Sequence, residues 1–212
     1  MNLDILVLYT SPMYSLGRSA RYIIGVDEAG RGPIAGPVSI GAVMVPVDFD
    51  RAFFRDIKDS KRLTANSREK WFSRLRRAAR GGDLSYQSAL VSAQVIDRKG
   101  IVRAIRLAIA RALGRLSIRS SECFVILDGS LSAPSRFANQ LTIIGGDQSE
   151  PLIALASIVA KVRRDRRMIN LGKRYPAYGF HEHKGYGTAA HYKALKKHGF
   201  CPIHRRSFLK VL

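Results

Sequence analysis

Cysteine is nearly absent from this chain of 212 residues, which contains only Cys123 and Cys201. Neither residue belongs to a Cys-x-x-Cys pair, which excludes a disulfide scaffold and a zinc ribbon. So few cysteines are typical of a reducing compartment, and we expect a cytoplasmic protein. No apolar run approaches the roughly 18–20 residues that cross a bilayer, so the sequence argues against an integral membrane protein.

Acidic residues are also scarce. There are 16 Asp and Glu against 36 Lys and Arg, which gives a formal net charge of +20. Such an excess attracts a polyanion because each neutralised phosphate releases condensed counterions, so nucleic acid is the expected partner. Binding to a membrane surface would place the basic residues along one amphipathic helix, whereas here they are spread over several segments. A basic surface adapted to the chemistry of the cell is a further alternative.

Short apolar runs alternate with helical periodicities, which predicts an α/β domain. We expect strands at 22–26, 38–45, 84–91, 123–127 and 141–144, and helices at 67–80, 94–116, 151–165 and 188–198. The first two strands are close enough in sequence to form an antiparallel hairpin. Residues 1–20 are expected to be an extra edge strand or an extension before the domain. They do not resemble a secretory signal, because Asp4 precedes their short apolar run.

The few acidic residues occupy informative positions. Asp27 and Glu28 directly follow one predicted strand, Asp128 follows another, and Asp165 lies among cations in a predicted helix. The carboxyl ends of strands are the usual ligand site of α/β sheets. Clustered carboxylates need compensating positive charge, and Mg²⁺ or Mn²⁺ prefers such oxygen ligands. The alternative is that Asp27 and Asp128 form turns and that Asp165 pairs with neighbouring arginines.

Six motifs, in order, make a more specific pattern. They are Gly25-Val26-Asp27-Glu28-Ala29-Gly30-Arg31-Gly32-Pro33, Asp59-Ser60-Lys61-Arg62-Leu63, Leu127-Asp128-Gly129, Ala156-Ser157-Ile158-Val159-Ala160-Lys161-Val162 with Asp165, His183-Lys184-Gly185-Tyr186-Gly187-Thr188, and Pro202-Ile203-His204-Arg205-Arg206-Ser207-Phe208. With these motifs, about residues 21–209 resemble the ribonuclease HII family. The chain departs from the family at Ser130, where Asn is common, and at Gly145, where a lysine often precedes Gly-Asp.

The resemblance implies an RNase H-like α/β fold with a mixed central sheet, flanking helices and a small helical C-terminal part. The catalytic domain would span residues 21–212. The family hydrolyses the RNA strand of RNA–DNA hybrids and nicks duplex DNA 5′ to embedded ribonucleotides, leaving 3′-hydroxyl and 5′-phosphate ends. Its metal-binding and catalytic carboxylates correspond to Asp27, Glu28, Asp128 and Asp165, which would hold two Mg²⁺ or Mn²⁺ ions. Asp147 is a second candidate for the fourth position.

The resemblance also implies residues that contact the substrate. Gly30, Arg31 and Gly32 correspond to the segment that reads the ribonucleotide, where glycines let the backbone approach the sugar and its 2′-hydroxyl. Tyr186 corresponds to a tyrosine that packs against the next sugar, and Ser60 and Lys61 to phosphate contacts. The expected partners are RNA–DNA hybrid and ribonucleotide-containing duplex DNA, with no membrane, and the protein is expected to be a monomer.

Two rival hypotheses come from the same residues. Ribonuclease HIII carries a substantial N-terminal substrate-binding domain, for which twenty residues are too few, and usually has Lys at the position of Arg31. A non-catalytic nucleic-acid-binding protein is the rival from another class. Four carboxylates at the family positions, in a chain so poor in acid, argue against that second hypothesis.

Overall fold

A five-stranded mixed sheet forms the centre of the protein. The computed structural model describes residues 20–55, 57 and 63–209. The strands are β1 (Tyr22–Ala29), β2 (Val38–Pro46), β3 (Ser85–Val91), β4 (Cys123–Asp128) and β5 (Gln140–Ile143), and their order across the sheet is β3-β2-β1-β4-β5. The pairs β1–β2 and β2–β3 are antiparallel, whereas β1–β4 and β4–β5 are parallel. This is the mixed sheet with flanking helices that the resemblance predicts.

Seven α-helices in the described residues surround the sheet or follow it. They are α1 (Ala65–Gly81), α2 (Ala93–Lys99), α3 (Ile101–Gly114), α4 (Gly146–Ser149), α5 (Pro151–Arg174), α6 (Phe180–His183) and α7 (Ala189–His198). Helix α1 begins where the Thr64 hydroxyl accepts a hydrogen bond from the Ser67 N–H, and it ends at Gly82 in a left-handed conformation. Helix α5 begins at Pro151, whose missing N–H costs nothing in the first turn.

Each face of the sheet has its own apolar core. Helices α2 and α3 cover one face, while α1 and α5 cover the other. A Cβ added at Gly41 in β2 would lie 2.1 Å from the Ala156 carbonyl oxygen, so only glycine lets α5 pack this close to the sheet. A third apolar cluster joins the end of α5 to the small C-terminal helices.

The structure corrects three boundaries. The helix predicted at 94–116 is two helices, because Gly100 adopts a φ of 78° between α2 and α3. Strand β1 continues beyond Val26 to Ala29, so Asp27 and Glu28 lie within the strand and not after it. Helix α5 continues beyond Asp165 to Arg174, since the apolar residues Met168 and Leu171 bury its last turns.

Two further predictions concern the ends of the chain and the membrane. Residues 1–19 lie outside the described part, so the prediction of an edge strand or an extension there stays a prediction. Among the described helices, none is long and apolar enough to cross a membrane.

Two buried histidines connect the C-terminal helices. The Nδ1 of His191 donates a hydrogen bond to the Tyr186 carbonyl at 2.8 Å, so its Nε2 accepts a hydrogen bond from Nε2 of His204 at 3.0 Å. Nδ1 of His204 in turn accepts from the Cys201 N–H at 2.9 Å. This hydrogen-bonding pattern assigns a neutral tautomer to each ring. The ring of His183 stacks on His191, with 4.4 Å between ring centroids.

This pair makes the stability depend on pH. Burial and the neighbouring His191 lower the pKa of His204 from 6.5 to about 4. Between these values the unfolded chain binds a proton at His204 that the folded chain excludes, so we expect the contribution of His204 to the free energy of unfolding to decrease as the pH falls from about 6.5 to 4. The decrease would be at most about 3 kcal/mol. Urea unfolding at several pH values measures it as the difference between the parent and His204→Gln, since the buried carboxyls Asp27 and Glu150, whose pKa values are raised, act in the opposite direction on both proteins alike.

The control for this prediction is an exposed histidine. His198→Gln should show the same dependence of stability on pH as the parent, because His198 lies on the surface. His204→Gln should be less stable than the parent at pH 7 and should lose less on acidification. An equal difference in the free energy of unfolding between the parent and His204→Gln at pH 7 and at pH 4.5 would contradict the prediction.

Candidate active site

Asp27 and Asp128 are side-by-side neighbours on adjacent parallel strands. Val26 of β1 pairs with Leu127 of β4, and each aspartate is the next residue along its strand. The two backbones are therefore about 4.8 Å apart at this point, and the two side chains extend to the same face of the sheet. Asp27 is only 4% exposed, whereas Asp128 is half-buried. The strands thus bring together two of the four predicted metal ligands.

The carboxylates at this edge of the sheet repel one another, which disfavours their ionised forms. Burial, together with the negative charges of Glu28 and Asp128, raises the pKa of Asp27 to about 8 against the opposing effects of the Ser157 hydroxyl and the Glu28 N–H. That N–H donates to Oδ1 of Asp27 at 2.7 Å. Burial also raises the pKa of Glu28, opposed by Arg31 at 3.8 Å. One buried and two half-buried carboxylates that repel one another are suited to a hard divalent cation, which would supply the missing positive charge.

The backbone of Asp147 contacts the same cluster. Asp147 is fully buried in the short helix α4, directly after β5, and its backbone N–H donates to Oδ1 of Asp128 at 3.3 Å. Gly146 also lies near this oxygen, because a Cβ added at Gly146 would be 3.5 Å from Oδ1 of Asp128. Across residues 20–55, 57 and 63–209, no three His, Cys, Asp or Glu side chains converge as ligands of one ion, so binding an ion requires these carboxylates to turn towards each other.

Asp165 lies apart from this cluster. Its position in α5 is eight residues beyond Ser157, which corresponds to about 12 Å along the helix axis. Its Oδ2 is 3.8 Å from Nη2 of Arg68, and its side chain is 30% exposed. Burial raises the pKa of Asp165, while Arg68 and then Lys184 lower it most among the surrounding cations. In the structure, Asp165 is paired with arginine and does not contact Asp128.

The predicted recognition segment lies beside Tyr186. Gly30 has a φ of 87°, and a Cβ added there would lie 1.9 Å from Nε of Arg164. The same guanidinium group lies 5.8 Å from the centroid of the Tyr186 ring. The N–H groups of Ile34 and Ala35 donate to the Gly185 carbonyl at 3.0 and 3.2 Å, which ties the two loops together. Tyr186 itself is 51% exposed.

The other residues that are predicted to contact the substrate are either exposed or outside the described residues. Arg31 and Gly32 are exposed at the surface of the recognition segment. Ser60 and Lys61 lie outside the described residues, so their phosphate contacts stay a prediction. Two buried arginines, Arg164 and Arg205, also contact this segment and are not among the site residues predicted from the sequence. Their signal was weak, because arginine in a basic chain is typical of a solvated surface.

Comparisons with known proteins identify the family. The family model described as Ribonuclease HII matches residues 24–211. A ribonuclease HII of Endomicrobium trichonymphae is 43% identical over 189 residues, which cover 89% of this chain and 86% of that protein. Ribonuclease H2 from Pyrococcus horikoshii is a structural neighbour with a TM-score of 0.63 at 30% identity, covering 88% of this chain and 93% of the other.

A second structural neighbour agrees. RNase HII from Archaeoglobus fulgidus, solved in a complex with PCNA, has a TM-score of 0.69 at 25% identity, covering 86% of this chain and 93% of that one. The match to the family model spans nearly all of the described residues, and it includes the carboxylate cluster and the recognition segment. The chain therefore belongs to the ribonuclease HII family and is a ribonuclease H that acts on RNA–DNA hybrids.

Proposed function

We propose that this ribonuclease H is a metal-dependent endonuclease that also nicks duplex DNA on the 5′ side of an embedded ribonucleotide. The products are a 3′-hydroxyl and a 5′-phosphate. The observation that carries the proposal is the carboxylate cluster at Asp27 and Asp128, next to an exposed glycine-rich segment and Tyr186. The cluster supplies the chemistry, and the segment supplies the discrimination between ribose and deoxyribose.

Asp27, Glu28 and Asp128 would hold Mg²⁺ or Mn²⁺, with a fourth carboxylate from Asp147 or Asp165. Bound divalent cations lower the pKa of water and stabilise negative charge on a leaving oxygen. The protein fixes the donor atoms: β1 and β4 fix the aspartates side by side, and the Asp147 N–H orients Asp128. Arg31 lies 3.8 Å from Glu28, so it links the recognition segment to the carboxylates.

The recognition segment reads the sugar through its backbone. Apart from its two chain neighbours, no heavy atom of the described residues lies within 4 Å of the position that a Cβ on Gly32 would occupy, so the segment is open on that side. A 2′-hydroxyl there can accept from an N–H or donate to a carbonyl. The ring of Tyr186 packs against the following deoxyribose, where an added hydroxyl would be crowded and unpaired.

Basic residues near the site bind the phosphates. At the start of α1 and in the later turns of α5 they are Arg68, Lys70, Arg163, Arg166 and Arg167. These contacts act on any duplex, so they provide affinity and not the choice of cleavage position. We further propose that the protein acts as a monomer in the cytoplasm. Its two cysteines, which are free and buried, are compatible with a reducing compartment.

A nicking assay tests the function. The substrate is a labelled duplex with one ribonucleotide, incubated with Mg²⁺, Mn²⁺ or EDTA beside an all-DNA duplex of the same sequence. We expect one cut, 5′ to the ribonucleotide, in the presence of either metal and none in EDTA. Ligation of the product with a DNA ligase checks the 3′-hydroxyl and 5′-phosphate ends. Cleavage in EDTA, or cutting of the all-DNA duplex, would overturn the proposal.

Substitution of Tyr186 should alter substrate preference. Tyr186→Ala removes the ring that packs against a deoxyribose, so we expect nicking at a single ribonucleotide to fall about tenfold or more relative to cleavage of a continuous hybrid. Tyr186→Phe keeps the ring and should keep most of the activity. The ratio of the two rates is the measurement, because it does not depend on enzyme concentration. Equal losses on both substrates would make Tyr186 a structural loop residue.

A further inference from the structure

Two arginines are buried beneath the recognition segment, and the carboxylates Asp165 and Asp97 favour their charge without forming an ion pair with them. Arg164 is 2% exposed and Arg205 is fully buried. Within the described part of the chain, neither forms an ion pair with an acidic side chain; both donate to backbone carbonyls. Burial lowers the pKa of both, and for Arg205 the nearby charge of Arg164 lowers it further. Two adjacent buried cations are costly, so a structure that keeps them must compensate them with oriented dipoles.

The compensating dipoles belong to the segment between Gly30 and Pro37. Arg205 donates from Nη2 to the Gly30 carbonyl at 2.7 Å, from Nη1 to Arg31 at 2.9 Å and from Nε to Gly36 at 3.0 Å. Arg164 donates from Nε to the Pro37 carbonyl at 2.9 Å and from Nη2 to Ala35 at 3.3 Å. Five carbonyl groups of one short segment are thus turned inwards.

The orientation of these carbonyls fixes the direction of the N–H groups. A trans peptide is planar, and its C=O and N–H point in opposite directions. The chain has no cis peptide in the described residues, so inward carbonyls at Gly30 and Arg31 direct the N–H groups of Arg31 and Gly32 outwards. Both residues are exposed, and among the described residues neither N–H has a backbone acceptor. Two neighbouring outward N–H groups attract an anion or a hydroxyl oxygen.

The Tyr186 loop is fixed from the same side. Arg205 follows His204, whose ring forms a hydrogen bond with the ring of His191. His191 in turn donates a hydrogen bond to the Tyr186 carbonyl. The Arg205 N–H donates to the Ile34 carbonyl at 2.8 Å. The two loops that contact the proposed substrate are therefore braced by two consecutive residues of the C-terminal segment.

We propose that Arg164 and Arg205 are positioning residues that turn the carbonyls of the recognition segment inwards, so that the N–H groups of Arg31 and Gly32 face the ribose and its phosphate. This inference rests on the proposed recognition of an embedded ribonucleotide. It requires arginine in particular, since the guanidinium group carries five donors in a fixed planar fork and lysine carries three on a point charge. The two positive charges also lie directly behind the segment, where they favour a phosphate in front of it.

The test compares Arg164→Lys and Arg205→Lys with the matched control Arg206→Lys, whose side chain is exposed against Phe200. The measurement is a ratio of dissociation constants in EDTA: that of an all-DNA duplex divided by that of the same duplex with one ribonucleotide. An unfolded fraction lowers the amplitude of both titrations and leaves this ratio unchanged. Nicking by the parent protein is measured in parallel.

We expect the parent and Arg206→Lys to prefer the ribonucleotide duplex. In Arg164→Lys and in Arg205→Lys, this preference should fall about tenfold, while the dissociation constant for the all-DNA duplex should stay within about twofold of the parental value. A parent that nicks at the ribonucleotide, together with lysine variants that keep its preference, overturns the positioning role and leaves the proposed function intact. A parent that neither nicks nor prefers the ribonucleotide overturns the proposed function, and this inference with it.

Discussion

Replacing Asp128 by asparagine is expected to reduce cleavage by at least about a thousandfold, which corresponds to about 4 kcal/mol of transition-state stabilisation. The substitution keeps the shape of the side chain but removes one of the negative charges that would hold a divalent cation between β1 and β4. Duplex binding should change little, because the phosphates contact basic residues elsewhere. Single-turnover nicking at matched Mg²⁺ concentration measures the first effect, and titration with a labelled duplex measures the second.

Stability separates this result from simple unfolding. Asp128 raises the pKa of Asp27 by repulsion, so its neutralisation should leave the free energy of unfolding unchanged or increase it. The matched control is Asp48→Asn, an exposed aspartate in the turn after β2, which should cleave at the parental rate. Asp128→Asn protein that is fully folded and still nicks within tenfold of the parent would contradict a metal site at this position.

Much of the fold could be predicted from the sequence because its signals are local. The hairpin of β1 and β2 follows from two apolar runs with a short connection, and the end of α1 follows from the glycines at 81–82, whereas its start lies two residues before the predicted one, at the Thr64 cap. The break at Gly100 could not be predicted in the same way. The apolar positions continue at helical spacing across it, and a single glycine costs a helix only about 1 kcal/mol. Only packing against the sheet decides between a continuous helix and two helices.

For the candidate site, too, the sequence predicts features that have local signals and fails to predict contacts that depend on the tertiary fold. Asp27 and Asp128 could be paired in advance, since each directly follows an apolar run of a parallel strand. The burial of Arg164 could not be predicted from the sequence, because Arg164 lies between the exposed Arg163 and the half-buried Asp165 in one basic helix. Its partners are carbonyls about 130 positions earlier in the chain. Such a contact depends on the tertiary fold and produces no periodic pattern in the sequence.

The choice of fourth carboxylate is a case where motif and structure point to different residues. The motif match favours Asp165, whereas the structure places Asp147 against Asp128 and pairs Asp165 with Arg68. A partly exposed ion pair contributes about 0–1 kcal/mol, which is at most about a fivefold effect on a rate. A buried carboxylate beside the cluster would instead supply charge directly where the substrate is cut.

We therefore expect Asp147→Asn to reduce nicking by about a hundredfold or more and Asp165→Asn to reduce it by no more than about fivefold. The two variants serve as controls for each other, because each removes one charge and keeps the side-chain volume. Asp147→Asn should also raise the Mg²⁺ concentration that gives half-maximal nicking, since a ligand charge is lost, while Asp165→Asn should leave it unchanged. A collapse of activity in Asp165→Asn with parental behaviour in Asp147→Asn would show that the motif, and not the contact with Asp128, identifies the fourth ligand.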